Sequence, residues 1–368
     1  MSEPVITLAE VRRTVCRELK MPFSRRYKAG FLTSDAGGDT ISLVDTDLTQ
    51  GDNFWRNSWI YRTASQECSL ITQFIAKDNT LKVEVPITEM AEEPYEIHSK
   101  WNAYEIHDAI NEAIRNVRRV FPDNVTDETL IIQEDVRAYT LSGLTKVPWI
   151  IHQILLEQPQ SVKRGQAVSA TSTTLVVENN GILADVTSSW KVSIYDGTGK
   201  GQIRSVASVA SATITVTAWT TTPDSTSKYA LWNASEETFD WYRFDAVRIS
   251  SKEFPTTLYF SIRPQDFMGL RIRIEYTAYA AELSAEADTT VVPLEYLKYA
   301  TLSILHSQKI SDTKADRDLH FGEWKRFNDM ANEYVVRNTP HRPDSMIFTN
   351  PEHQYQARSD DPLNWQSG

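Results

Sequence analysis

The sequence predicts an α+β protein of several domains: a discontinuous helical bundle with inserted small β-barrel or β-sandwich modules and an extended C-terminal arm. Three observations support this prediction. Helical periodicity occurs in three separated parts of the chain, two β-rich stretches share one order of strands, and residues 341–368 are polar and interrupted by proline. A chain of 368 residues also exceeds the size of one simple core.

The predicted elements divide the chain along its length. The helical core comprises residues 1–30, 91–125 and 289–340, the two β-modules comprise 31–90 and 166–234, the strands of a β-sandwich comprise 126–165 and 235–288, and the extended arm comprises 341–368. Because strand patterns flank the second module on both sides, we expect this module to interrupt a parent sheet.

A capping box and an apolar stripe predict the N-terminal helix. Residues 7–10 read Thr-Leu-Ala-Glu, in which the Thr hydroxyl and the Glu carboxylate can each accept a backbone N–H of the first turn. Apolar residues recur at helical spacing from Leu8 to Leu19, and Pro22 ends the pattern. Arg12 and Arg13 fall outside the stripe, so we expect them on a solvated surface.

The two β-modules share one order of predicted strands: an opening strand, a strand that begins with Trp, a middle strand and a Thr-rich closing strand. These strands are predicted at 40–45, 55–61, 68–74 and 79–85 in the first module, and at 174–178, 190–195, 201–206 and 212–217 in the second. The matching order predicts an internal repeat. The polar stretch 158–173 leads into the second module.

Three further helices complete the predicted bundle. One covers about 101–121, the next begins at Pro293, and the last follows a break at 311–313 and ends near Arg337. The apolar face of the last helix is predicted from Leu319, Trp324, Phe327, Ala331, Tyr334 and Val335. Strands of the β-sandwich are predicted at 130–133, 137–141, 149–156, 245–250, 257–262 and 270–278.

The composition argues against several classes of protein. The net charge is −11 and charges of both signs are interspersed, whereas binding nucleic acid requires a basic face. Cys16 and Cys68 form no disulfide framework, which indicates a reducing cytosol. The N-terminus has no signal-peptide pattern and no apolar run is long enough for a bilayer, so we expect a soluble protein without a membrane partner.

Catalytic and metal-binding signatures are missing from the sequence. Residues 196–201 read Asp-Gly-Thr-Gly-Lys-Gly but join two predicted strands, so we expect a hairpin turn rather than a phosphate loop. The acidic residues around Asp45 lack the Gly and Glu positions of a calcium loop. His98 and His107 lack zinc spacing and are expected to be packed or on the surface. We expect neither a cofactor nor an enzyme.

The order of elements resembles a known class of virion proteins. The capped N-terminal helix, the Trp-bearing β-insert, the helical string Glu-Ile-His-Asp-Ala-Ile-Asn at 105–111 and the string Pro-Leu-Glu-Tyr-Leu at 293–297 together resemble head-to-tail adaptor proteins of tailed bacteriophages. These proteins are also called connector or neck proteins. The alternating strand at 270–276 and the segment 288–293 are similar to the part that leads into their C-terminal helices. The two β-modules depart from a minimal adaptor.

The resemblance implies a ring of roughly twelve copies in the neck of the virion, under the portal, with genomic DNA passing non-specifically through the lumen. It implies further contacts with tail or stopper proteins and with capsid or fibres. The residues expected to contact the portal or another subunit are Trp324, Phe327, Tyr334, Met346, Phe348 and Trp365.

Two other functions stay open at this point. The first is a carbohydrate-binding β-module of a virion or cell surface, in which exposed Trp rings stack on sugars. The rings concerned are Trp55, Trp59, Trp190 and Trp219. The second is a hydrolase of the host envelope, for which the sequence offers no catalytic constellation.

Overall fold

The structure is a computed structural model of the chain. It describes residues 6–19, 28–31, 42–86, 94–178, 181–234, 240–244, 246–310 and 314–338, with the backbone alone at 28–31 and 314–316. The described residues form two compact units. Unit 1 takes those of Met1–Pro122 and Ala280–His341, and unit 2 takes those of Asp123–Tyr279.

Helices and strands are both abundant, which confirms the predicted α+β class. The helices of the described part are α1 (Leu8–Leu19), α2 (Ala103–Val117), α3 (Leu294–Lys309) and α4 (Lys314–Asn338). All four correspond to predicted helices. The cap of α1 is present, since the Glu10 N–H donates to Thr7 Oγ1 at 3.2 Å. A full capping box, in which Asn102 and Glu105 bond each other's backbone, begins α2.

The strands of unit 1 are β1 (Ile6–Thr7), β2 (Lys28–Phe31), β3 (Ser42–Val44), β4 (Trp59–Arg62), β5 (Glu67–Ile75), β6 (Thr80–Val83), β7 (Pro94–His98) and, later in the chain, β21 (Thr289–Thr290). Those of unit 2 are β8 (Asp123–Ile131), β9 (Ala138–Thr140), β10 (Pro148–Gln158), β11 (Val162–Ala170), β12 (Thr174–Val177), β13 (Trp190–Asp196), β14 (Ile203–Ala210), β15 (Thr213–Val216), β16 (Lys228–Asn233), β17 (Asp240–Arg243), β18 (Val247–Ile249), β19 (Thr257–Phe260) and β20 (Arg271–Ala278).

The predicted repeat is confirmed by strand order. The first module is a sheet in the order β2-β7-β4-β5-β6-β3, and the second is a closed barrel in the order β11-β16-β13-β14-β15-β12. Strand by strand along the chain, the two orders are identical. In the second module β11 and β12 also pair with each other, and this pairing closes the barrel.

The register of the two modules matches as well as the order. Leu43 pairs with Leu81 in the first module, as Leu175 pairs with Ile214 in the second. All four side chains are buried. Each module also carries an irregularity at the same place in its middle strand, between Ile71 and Gln73 and between Val206 and Ser208. An equal bulge at an equal position is the pattern of duplicated structure.

Two predictions within the modules are wrong. The second module does not begin at residue 166, because β11 occupies Val162–Ala170 and pairs with β16. The alternation of β11 is weak because its long polar side chains are half-exposed. The second error concerns the Trp-led strand, which begins at Trp59 rather than at residue 55. By register Trp59 corresponds to Lys191, so Trp55 and Trp190 are not equivalent.

Unit 2 also contains the predicted parent sheet. The strands β17, β10, β20 and β8 form a four-stranded sheet in that order, and β18, β19 and β9 form a three-stranded one. Both sheets contribute buried side chains to one core, including Ile151, Leu258 and Ile274. The barrel lies between β10 and β17 in the chain, as an insertion must.

The core of unit 1 is formed by the helices. Leu8, Val11 and Val15 of α1 are fully buried against apolar residues of α2 and α3. The strand β1 pairs with β21, which brings the start of α1 next to the start of α3. The N-terminal helix and the late helices are therefore one structure although about 280 residues separate them in the sequence.

Candidate interaction surface

The helix α4 carries the described part of the predicted interface. Its 25 residues pack against α3, and His320, Phe327 and Ala331 point into the core of unit 1. Phe327 is stacked on Tyr299, with 6.5 Å between ring centroids, and on His306 at 5.8 Å. Phe327 is thus a core residue of the unit.

The other predicted interface residues lie in two places. Trp324 and Tyr334 are half-buried on α4, at the border of its packed side. Met346, Phe348 and Trp365 lie outside the described residues, as does the rest of the predicted arm at 341–368.

Exposed apolar side chains lie elsewhere on α4. Leu319 is 42% exposed, Phe321 51% and Val336 79%. Leu319 was assigned to the packed face by its spacing, and the structure places it in solvent because His320 takes the inward position. Phe321 lies against Trp324, with 5.4 Å between ring centroids. The i, i+3 spacing of these two aromatics is the sequence signal for the pair.

Side-chain hydrogen bonds connect α4 to the neighbouring helices. His320 Nδ1 lies 2.8 Å from His306 Nδ1 of α3, and His320 Nε2 lies 2.8 Å from Lys100 Nζ, just before α2. Both imidazoles are buried. Burial, together with the neighbouring His320 and Lys100, lowers the pKa of His306 to about 4.

A second group of titratable side chains surrounds Arg12, which is fully buried rather than solvated as predicted. Its guanidinium donates to both oxygens of Glu96, at 2.9 and 3.0 Å, and to both oxygens of Glu286. Arg13 and His98 bond Glu96 as well, at 2.9 and 3.1 Å. This cluster joins three segments of unit 1 that are far apart in sequence.

The Arg12 cluster contains the residue types of an active site, but its hydrogen bonds serve to hold distant segments of the chain together. Burial alone would raise the pKa of Glu96, but hydrogen bonds from His98 and Arg12 outweigh it and hold this pKa far below its usual range. Each oxygen of Glu96 accepts two donors, and Tyr61 donates to Glu286 at 2.7 Å. A carboxylate so occupied is a poor general base.

Unit 2 contains a similar cluster at the barrel. Arg271 donates to Glu157 at 2.6 and 2.9 Å, and Glu157, fully buried, also accepts the Trp232 Nε1–H at 2.9 Å. Ser193 of the barrel donates to the Gly269 carbonyl at 2.5 Å. Trp232 therefore attaches the barrel to β10, and Ser193 attaches it to the segment that leads into β20.

The same side of each module makes these attachments. By register Tyr61, Glu96 and His98 of the first module correspond to Ser193, Ala230 and Trp232 of the second. The first set faces Arg12 and Glu286, and the second faces Glu157 and Gly269. The module therefore uses one docking face twice.

Most of the tryptophans proposed for sugar stacking are inside the modules. Trp55, Trp190 and Trp219 are 3–6% exposed, and Trp59 is half-buried. Trp55 donates to Gln50 at 3.0 Å, and Lys163 lies over the Trp190 ring at 5.0 Å. Stacking on a sugar requires an accessible face of the ring, so these three rings offer no such platform.

The glycine-rich string at 196–201 and the acidic residue Asp45 both have structural roles. Residues 197–202 connect β13 to β14, and Gly197, Gly199 and Gly201 all have positive φ, which confirms the predicted hairpin turn. Asp45 is buried and accepts the Tyr95 hydroxyl. Among the described residues no group of three or more His, Cys, Asp or Glu side chains could hold a metal ion.

Comparison with known protein families, characterised proteins and solved structures finds no match for this chain. Of the helices in the described ranges, none combines the length and apolar character needed to cross a membrane.

Proposed function

We propose that this protein is a structural component of a virion, a head-to-tail adaptor of a tailed bacteriophage. In this proposal roughly twelve copies form a ring under the portal, join the capsid to the tail, and let the genome pass through the lumen. The portal, further copies of the chain, and tail, stopper, capsid or fibre proteins are its neighbours.

The exposed side of α4 is the observation that carries the proposal. Phe321 and Trp324 form an aromatic pair at the border of the packed face, and Leu319 and Val336 add exposed apolar surface. Large aromatic side chains supply most of the binding energy of protein interfaces. The sequence directly after α4 continues the same character with Met346, Phe348 and Trp365, so the interface is proposed to include both parts.

The charged clusters support a joining role rather than a chemical one. In the Arg12 and Arg271 clusters the buried carboxylates are held by guanidinium groups, hydroxyls and ring N–H groups of the same unit. Such buried ion pairs hold distant segments in one fixed geometry. A connector that carries mechanical load requires this rigidity. The net charge of −11 supports a lumen along which DNA slides without adhering, because like charges repel.

The first experiment removes residues 341–368 and measures binding to the purified portal ring of the same virion. We expect loss of portal binding with an unchanged circular dichroism spectrum, because the deleted segment follows the last described helix. Native mass spectrometry of the intact chain, alone and with the portal, then gives the number of copies. Portal binding by the shortened chain at full strength would refute the role of this segment.

A matched pair of substitutions tests α4 itself. Phe321 is 51% exposed and Tyr242 of unit 2 is 50% exposed, and each ring touches one aromatic neighbour, Trp324 and Phe267 respectively. Phe321→Ser should weaken portal binding or ring assembly about 30-fold, as for an interface anchor of about 2 kcal/mol. Tyr242→Ser should leave both unchanged. Equal effects of the two substitutions would contradict the assignment to α4.

A further inference from the structure

A chain of three nitrogen-bearing side chains, a half-buried lysine and two buried histidines, spans three segments of unit 1. Lys100 Nζ lies 2.8 Å from His320 Nε2, and His320 Nδ1 lies 2.8 Å from His306 Nδ1. The exposed fractions of His306 and His320 are 2% and 1%. The Trp101 ring meets both imidazoles edge-on, with centroid distances of 5.5 and 6.2 Å, and so shields them from water.

The chemistry of the donors fixes where each proton lies. An ammonium group can only donate, so His320 Nε2 accepts from Lys100 and the ring proton of His320 is on Nδ1. That proton is donated to His306 Nδ1, which leaves the proton of His306 on Nε2. The chain is therefore directional, with one cation followed by two neutral imidazoles.

An added proton has no position in this arrangement that keeps both bonds. On His306 Nδ1 it would face the Nδ1–H of His320, so two donors would meet. On His320 Nε2 it would face the Lys100 ammonium. Either position breaks one hydrogen bond. A proton on His320 Nε2 also places a positive charge about 3 Å from the Lys100 ammonium, and a proton on His306 Nδ1 places a positive charge on a buried ring that faces a donor.

Other charged side chains of the neighbouring helices form ion pairs of their own. Lys309 of α3 is 3.9 Å from Glu105 of α2, and Glu323 of α4 is 3.3 Å from Arg326, so these carboxylates have cationic partners. The influences on the pKa of His306 are burial, His320 and Lys100, and all three lower it. The lowered pKa, about 4, agrees with the geometry.

We propose that the Lys100–His320–His306 chain is a proton-sensitive latch, which holds α4 on α3 at neutral pH and releases it in acid. Of the α4 side chains that the structure describes, 317–338, the buried one nearest the start of the helix is His320, and the next ones, Phe327 and Ala331, follow about two turns or more later. Phe327 itself stacks on His306. Loss of the latch therefore loosens α4 from its N-terminal part onward and frees the surface around Phe321.

The sign of the pH effect follows from linkage. In the released state each imidazole has its ordinary pKa near 6.5, whereas in the latched state His306 stays neutral to about pH 4. The released state therefore binds more protons between these values. The equilibrium constant for release therefore increases as pH falls through this window. For each proton taken up, the increase is at most about ten-fold per pH unit.

Hydrogen–deuterium exchange read by mass spectrometry tests the latch on the full chain, with labelling times scaled to the intrinsic rate at each pH. Peptides from 317–338 should lose protection progressively between pH 6.5 and 4, while peptides from α2 stay protected. The variant His306→Gln/His320→Gln keeps an amide chain and cannot titrate, so its α4 should stay protected. His107→Gln is the control, because His107 faces Arg12 and also has a pKa lowered to about 4.

Two results would overturn the proposal: wild-type α4 that stays protected to pH 4, or a double variant that loses protection like wild type. Nitrogen-15 NMR of the histidine rings gives a test that needs no variant. At pH 6 both rings should be neutral, with His320 in the less common Nδ1–H tautomer. A charged ring, or His320 as the Nε2–H tautomer, would also refute the latch. This inference does not depend on the proposed function.

Discussion

Replacement of Arg12 by Met is expected to destabilise unit 1 strongly, whereas the same replacement of Arg13 is not. The two arginines are adjacent on α1 and both bond Glu96. Arg12 is fully buried and Arg13 is 46% exposed at its side chain. The pair therefore compares a buried ion pair with an exposed one on a single carboxylate.

The expected magnitudes follow from burial and bonding. Arg12→Met removes bonds to Glu96 and Glu286 and leaves a carboxylate that is 1% exposed without its principal partner. Removal of one member of a buried pair costs about 3–5 kcal/mol in the free energy of unfolding. Arg13→Met removes one bond at a largely solvated group, which costs about 1 kcal/mol or less because water screens the charge.

Urea unfolding followed by far-ultraviolet circular dichroism measures both values, and exchange of α1 amides assigns the change to unit 1. The dependence of the free energy of unfolding on pH in the acid range adds a second readout. Because the folded pKa of Glu96 lies far below that of the unfolded chain, its contribution is complete above about pH 5 and is lost as pH falls below that. In Arg12→Met this acid-dependent loss should shrink. Equal destabilisation by the two substitutions, or an unchanged pH dependence in the acid range, would refute the reasoning.

Three further predictions concern single residues. Gly322 lies in α4 with open space where a Cβ would be, so Gly322→Ala should raise the free energy of unfolding by up to about 1 kcal/mol. Gly269 has φ +84° and its Cβ would lie 2.4 Å from that of Ala230, so Gly269→Ala should detach the barrel or unfold unit 2; thermal unfolding of both variants checks the opposite signs. Trp232→Phe replaces the buried indole with a smaller aromatic ring and removes the donor to Glu157, so a loss of about 1.5–3 kcal/mol is expected in urea unfolding. A loss below about 0.5 kcal/mol, the usual limit for a surface change, would show that Arg271 alone satisfies Glu157.

Local signals predicted the helices well. The Thr7–Glu10 cap, the stripe of α1 and Pro293 at the start of α3 are properties of a few neighbouring residues, and the structure confirms each. The strand 270–276 is another such case, since its inward positions Ile272, Ile274 and Tyr276 are buried. Elements that depend on the spacing of apolar and capping residues close together in the sequence can be predicted from that spacing.

The buried charges could not be predicted in this way. The partners of Arg12 lie 84 and 274 residues away, at Glu96 and Glu286. The spacing of Arg12 from Leu8 and Cys16 places it on the buried face of α1, unlike Arg13, but the sequence does not show which carboxylates meet it there. The latch has the same origin, since Lys100 and His320 meet only when α2, α3 and α4 are packed together. Charged residues appear solvated in a sequence until the fold supplies partners that make burial tolerable.

The repeat could be predicted from four strands, but its extent and its use could not. The first and last strands of each module, β2 with β7 and β11 with β16, were not predicted. β11 is polar and alternates weakly, whereas β7 and β16 are buried at nearly every residue, so neither kind shows the alternation of a half-buried strand. Their register nevertheless aligns a Gly and a Tyr in both copies, Gly30 with Tyr95 and Gly165 with Tyr229. In the second copy the Tyr hydroxyl fills the space where a Cβ of the Gly would be, at 2.6 Å. Only Gly allows that contact.

The differences between the two copies follow from what each is attached to. Inward positions stay apolar, as at Ile60 and Val192, or Ile97 and Leu231. The docking face instead diverges: Glu96 serves an arginine of α1, whereas its counterpart Ala230 packs directly on Gly269. A module whose core is kept while its docking face changes is a part that can be fitted to different scaffolds. This division between a constant core and an adapted face is what the structure adds to the repeat seen in the sequence.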